Sequence, residues 1–209
     1  MTITQLGIYQ GALRMVGERK LSSITEDRKP RHDLDGVWDE GATKACLEAA
    51  DWAFATRTTL MEADDGIAPD FGFQYAFEKP TDWVRTCAVS LDEYLQEPLL
   101  DYRDEGGYWW ADQEEIYVSY VSDDEDYGTN YSLWTPSFIN YHQAYMAAKI
   151  HPSIANSTAS LEKLEKDMEK YLSGAAGKNA LTRPTRILPS GQWVNSRGGG
   201  NRDQRRSPR

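Results

Sequence analysis

The sequence predicts a mainly α protein: a four-helix bundle with a small antiparallel β insertion and an extended C-terminal arm. Three observations predict it. Apolar residues recur every three or four positions in four separate stretches, the mark of amphipathic helices. Between the second and third stretches the period falls to two, the spacing of half-buried strands. After about residue 178 periodicity stops while arginine becomes frequent. The boundaries that follow are 1–66 and 135–177 for the two halves of the bundle, 67–134 for the insertion and 178–209 for the arm.

The first helix is expected from Thr4 to Glu18, with Leu6, Tyr9, Leu13 and Val16 on one face and Thr2 or Thr4 as N-cap. A polar loop from Ser22 to Pro30 follows. The strongest pattern runs from Asp33 to Leu60, where Leu34, Trp38, Ala42, Ala45, Ala49, Trp52 and Thr56 share a stripe. This predicts one long helix whose alanines permit close packing. Phe71, Phe73, Tyr75 and Phe77 then alternate with small or polar residues, predicting a strand. Short strands are expected at Cys87–Val89, Leu99–Tyr102, Tyr108–Trp110 and Ile116–Val121, with turns at Pro80–Trp83 and Gly106-Gly107. Connections this short leave no room for crossover helices, so the sheet should be an antiparallel meander. Thr135-Pro136 caps and opens the third helix, carrying Phe138, Tyr141, Tyr145 and Ala148 to an end at His151-Pro152. The fourth helix carries Leu161, Leu164, Met168 and Tyr171, and Gly174 and Gly177 are expected to stop it. Leu34, Trp38, Ala45, Ala49, Trp52, Tyr141 and Tyr145 are the candidate packing residues of the bundle and of any ring built from it.

At 209 residues and 40% hydrophobic, the chain suits one domain with a substantial core. No apolar run approaches the ~20 residues that span a bilayer. The start lacks a basic n-region and an apolar h-region, so synthesis in a cytoplasm is expected. Cys46 and Cys87 lie in apolar stretches and read as small buried hydrophobes. Charge is sharply divided. From Lys178 onward seven arginines and one lysine face a single aspartate, a net of +7, which leaves −17 on residues 1–177. A body that acidic repels nucleic acid.

Catalytic and metal chemistry find little support. Asp64/Asp65, Glu114/Glu115 and the 123–126 run stand in polar turns, where carboxylates stay solvated. A calcium loop begun at Asp123 would place Gly128 correctly, but Tyr127 and Trp134 occupy ligand positions. His32, His142 and His151 are scattered, with no zinc-site spacing, and His142 reads as a hydrogen-bonded packing residue. No Gly-x-Ser-x-Gly elbow occurs. The reading is a non-enzyme with no cofactor and no metal. The arm differs from a plain disordered end: Arg183, Arg186, Ile187, Leu188, Trp193 and Val194 interleave cations with apolar anchors, a composition suited to a partner's groove.

Several segments, in order, resemble the head-to-tail adaptor (connector) family of short-tailed bacteriophages, typified by tail tubular protein A. They are 12–18 (ALRMVGE), Ile24-Thr25-Glu26, the Ala/Trp stretch from Ala45 to Trp52, 77–85 (FEKPTDWVR), 106–110 (GGYWW), 116–121 (IYVSYV) and 136–141 (PSFINY). The likeness covers about residues 4–173. It implies a structural subunit of a dodecameric ring at the head-tail junction of a virion, assembled in the host cytoplasm. Such a ring sits between portal protein and tail or nozzle proteins and passes duplex DNA during ejection, with no membrane partner and no catalytic residues. The C-terminal arm would reach onto the portal. A glycan-binding or wall-degrading tail-associated protein is the alternative, because tryptophans beside acids also build sugar clefts. A nucleic-acid-binding module acting through the arginines is a second.

Overall fold

In a computed structural model, residues 3–67, 69, 71–155 and 158–182 are described. They form five helices and two three-stranded antiparallel sheets: α1 (Gln5–Val16), α2 (Lys29–Asp39), α3 (Ala42–Glu48), β1 (Thr56–Glu62), β2 (Tyr75–Glu78), β3 (Trp83–Ser90), β4 (Arg103–Glu105), β5 (Tyr108–Ala111), β6 (Glu115–Ser122), α4 (Pro136–Ile154) and α5 (Thr158–Thr182). The fold is therefore α/β, which corrects the mainly α four-helix bundle expected from periodicity.

The correction begins at Gly41. The stripe from Leu34 to Thr56 belongs to two short helices and a strand, not to one helix. Gly41 adopts φ +92°, a left-handed turn open to glycine, and breaks α2 from α3. Both helices still pack on α4, so the apolar spacing survives the break. Beyond Trp52 the chain turns and enters β1, which lies outside the predicted insertion and pairs in register with β6 from Thr56↔Val121 to Glu62↔Glu115. β3 pairs with the other edge of β6 through two register shifts.

The second sheet has the order β2-β5-β4, closed by the Gly106-Gly107 turn between β4 and β5. Only that pair is a sequential hairpin, so the arrangement is antiparallel but not the expected meander. Leu99–Tyr102 is not a strand; a single bridge joins Ser90 to Pro98, and β4 begins at Arg103. Phe71 and Phe73 likewise lie ahead of β2.

α4 is the hub, packed by α1, α2, α3 and α5. Thr4 and Thr135 cap α1 and α4, accepting bonds from Gly7 N (3.2 Å) and Phe138 N (3.3 Å). α5 runs through Gly174 and Gly177 to Thr182, so neither glycine stops it and the first five residues assigned to the arm are helical. Two cores share β6. Val121 faces the helical core, while Ile116, Val118 and Tyr120 join Phe77, Val89 and Trp109 in the core between the sheets. The sheets are pinned at one cluster: the Lys79 ammonium pairs with the Asp104 carboxylate and lies 3.7 Å from the Trp83 ring centroid, and Trp109 Nε1 donates to Thr86 Oγ1 at 2.9 Å.

Candidate interaction surfaces

The candidate packing residues gather around α4 within one chain. Leu34, Trp52 and Tyr141 are buried, and Trp38, Ala49 and Tyr145 pack half-buried against the same core; Ala45 is half-buried at its margin. Trp52 Nε1 donates to Cys46 O at 2.9 Å, and its ring meets Phe138 at 4.9 Å. Trp38 stands edge-on to Tyr9 at 5.8 Å. The Trp52 and Tyr141 rings are spent on the fold of one chain. Arg183, Arg186, Ile187, Leu188, Trp193 and Val194 of the arm lie outside the described residues.

His142 is fully buried, enclosed by Trp134 (5.2 Å), Trp38 (5.5 Å) and Phe138 (6.1 Å). Its Nε2 lies 3.2 Å from Thr43 Oγ1, while Nδ1 has no hydrogen-bond partner among the described residues. Burial pushes its pKa down to about 3, so it stays neutral in the folded state. Cys46 is also buried, and burial raises its thiol well above the ordinary range. Cys87 is half-buried.

The acids weighed for catalysis lie in turns and loops, except Glu115, which begins β6 and pairs with Glu62 of β1. Asp64 accepts Gly66 N at 2.8 Å, Glu114 accepts the Tyr75 hydroxyl at 3.2 Å, and Asp123 pairs with Lys44 at 3.0 Å. Asp82 is different: it receives Ser122 Oγ (2.5 Å), Arg57 (3.1 Å) and the Tyr120 hydroxyl (3.2 Å). Burial raises its pKa, but the bonds from Ser122 and Arg57 outweigh burial and hold it below the usual range. It ties β1, β6 and the start of β3 together. His151 Nε2 lies 2.7 Å from Ser160 Oγ beside a cleft of about 300 Å³ between α1, α4 and α5, joining the end of α4 to the first turn of α5. Among the described residues no group of three or more His, Cys, Asp or Glu side chains is placed to hold a metal, and no helix is long and apolar enough to cross a membrane.

Three surface features remain. On the outer face of the second sheet, Phe71, Trp110 and Tyr108 form a row with centroid spacings of 5.2 and 5.6 Å. Its rings tilt by 58° and 49°, so they present edges as well as faces and do not make a flat sugar platform.

The second feature is the loop joining β3 to β4, which sequence reasoning missed. One Asp92 carboxylate oxygen accepts Ser90 Oγ, Gln96 N and Glu97 N at 2.7 Å each, and the other accepts Tyr94 N at 3.2 Å. The Ser90 hydroxyl and these amides lower its pKa. Leu95 is held at φ +54°, an uncommon conformation for a leucine. This braced loop leaves Leu91, Tyr94 and Leu100 exposed, Leu100 by 87%. Alternation offers no clue to it, because the brace is made by polar groups.

The third feature is an apolar cleft of about 470 Å³ where the end of α5 meets the turn before β1, lined by Ala53, Phe54, Ser137, Ala175, Lys178 and Thr182 among others. Asn179 holds its rim: its Oδ1 accepts Ala53 N at 2.7 Å and its Nδ2 donates to Asp51 O at 2.6 Å. Together these features describe an α/β protein with rigid apolar contact points on its surface. No protein-family model matches the chain, and no curated protein is significantly similar to it.

Proposed function

We propose that the chain is a structural head-to-tail adaptor subunit of a tailed bacteriophage. It forms a ring, dodecameric by its resemblance to that family, which docks on the portal, joins it to tail or nozzle proteins and forms part of the DNA ejection channel. The observation that carries the reading is the division of charge: −17 on residues 1–177 against +7 on the remainder. A conduit for duplex DNA gains from an anionic body, since each neutralised phosphate would slow passage. A cationic arm with apolar anchors suits an acidic partner surface, an attraction that salt weakens. The ordered sequence segments supply the family, and the aromatic core around α4 gives each subunit a rigid body.

The test is to mix the purified chain with portal rings and image the product. A ring of this protein seated on the portal is expected. Portal rings that stay bare would refute the reading. Clearing of peptidoglycan that is lost on Asp or Glu substitution would instead establish the glycan alternative, for which the tilted Phe71–Trp110–Tyr108 row offers no flat platform. Tight duplex binding at physiological salt, lost on deleting residues 178–209, would establish the nucleic-acid alternative.

A further inference from the structure

Leu91, Tyr94 and Leu100 are exposed by 43%, 69% and 87% on a loop that Asp92 holds rigid. Residues 91–102 also carry four carboxylates, Asp92, Glu93, Glu97 and Asp101, and no lysine or arginine. The apolar cleft at the end of α5 is the chemical counterpart. Lys178 stands at its edge. Knob and cleft lie apart on one molecule. The start of β3 adjoins the cleft, because Arg85 pairs with Asp51, whose carbonyl Asn179 holds. The loop leaves β3 at Ser90, so its tip around Tyr94 lies beyond the strand end, five or more residues past Arg85 and so at least roughly 16 Å away along the strand. The chain then returns beside β3, with Leu99 N donating to Val89 O at 2.9 Å, and carries Leu100 on that returning limb. An apolar knob on one face and a matching cleft on another give a head-to-tail contact, which closes into a ring when the rotation permits.

We infer that the 91–102 loop of one copy inserts into the α5 cleft of the next, and that this contact is the seam between neighbouring subunits. The inference deepens the ring proposed above and rests on that reading. Leu100 and Tyr94 supply the apolar insert, while Glu97 and Asp101 face Lys178. The rigidity of the loop lowers the ordering cost of the contact. A single knob buries less than the ~1,200 Å² of a standard interface, so an isolated pair is weak and closure of the ring stabilises it.

The experiment uses the full chain carrying Cys87→Ser, with Leu100→Cys on the knob and Ser137→Cys on the cleft wall, oxidised at high protein concentration. The double variant should give a ladder of covalent oligomers, and each single cysteine should give none beyond a dimer. Lys178→Glu should cut the ladder several-fold, and adding Glu97→Lys should restore part of it. Both charged sites are on the surface, so unchanged circular dichroism is expected throughout. Absence of a ladder from the double variant, or a ladder indifferent to Lys178→Glu, overturns the inference. Imaging the wild-type chain with portal rings separates the two ideas: a seated ring without a ladder sinks the seam alone, and a ladder without a seated ring sinks the adaptor reading alone.

Discussion

His142 should make the protein lose stability in mild acid, well before its carboxylates matter. In the unfolded chain a histidine titrates near 6.5; in the fold, burial holds His142 down at about 3. Between these values the unfolded state binds the extra proton, so the stabilisation is complete above about pH 6.5 and drains away as the pH falls toward 3. From about pH 7 to about pH 5 the loss amounts to about 2 kcal/mol. The carboxylates with lowered values, Glu26 (about 2), Asp27, Asp82 and Asp92, contribute stability that is lost only below their unfolded values near 4. The window above pH 5 therefore separates His142 from the carboxylates, and the substitution separates it from His32 and His151. Urea unfolding at the two pH values, for wild type and His142→Phe, measures the effect. Phenylalanine keeps a ring among Trp38, Trp134 and Phe138 but accepts no proton; stranding Thr43 Oγ1 costs the same at both pH values. The drop should shrink by about 2 kcal/mol in the variant. Equal drops in the two proteins would show that the site admits water or a proton and would refute the argument.

Other outcomes follow from the same structure. Trp193→Ala should weaken portal docking more than Arg205→Ala, because a buried aromatic anchor outweighs a solvated charge; equal effects in a pull-down on portal rings would count against a groove-seeking arm. Gly128→Ala places a Cβ 2.2 Å from Ser122 O and 2.7 Å from Leu47 Cδ1, so thermal unfolding should show a loss of about 1–3 kcal/mol. Trp52→Ala removes the ring that meets Phe138 and Tyr141 and should cost about 3–5 kcal/mol in denaturant titration. Asp92→Ala removes the acceptor of four bonds, and limited proteolysis should then cut within 91–98 while the melting temperature barely moves.

How much of this was legible depends on whether the deciding interaction is local. Thr4, Thr135 and the Ile116–Val121 alternation act within a few residues, and the caps of α1 and α4 and the two faces of β6 follow from them directly. The long helix from Asp33 to Leu60 failed for a physical reason. α2 and α3 face the same α4, so an apolar stripe continues across Gly41 although the chain turns there. β1 has exposed Thr58, Leu60 and Glu62 on one side, and an edge strand half in water needs no strong alternation. Gly174 and Gly177 did not end α5, because tertiary contacts override propensity: Ala175 is buried between them and Asn179 grips the chain at Asp51 and Ala53 beyond them. The surfaces were less legible still. Trp52 and Tyr141 looked equally suited to a subunit seam or a core, since sequence shows that a ring will be buried but not by which copy. The loop braced by Asp92 escaped notice because its order comes from one carboxylate gathering amides rather than from any period. With Trp52 and Tyr141 used by the core, the seam we propose draws on side chains left in water, and Leu100 on that loop is the most exposed of them.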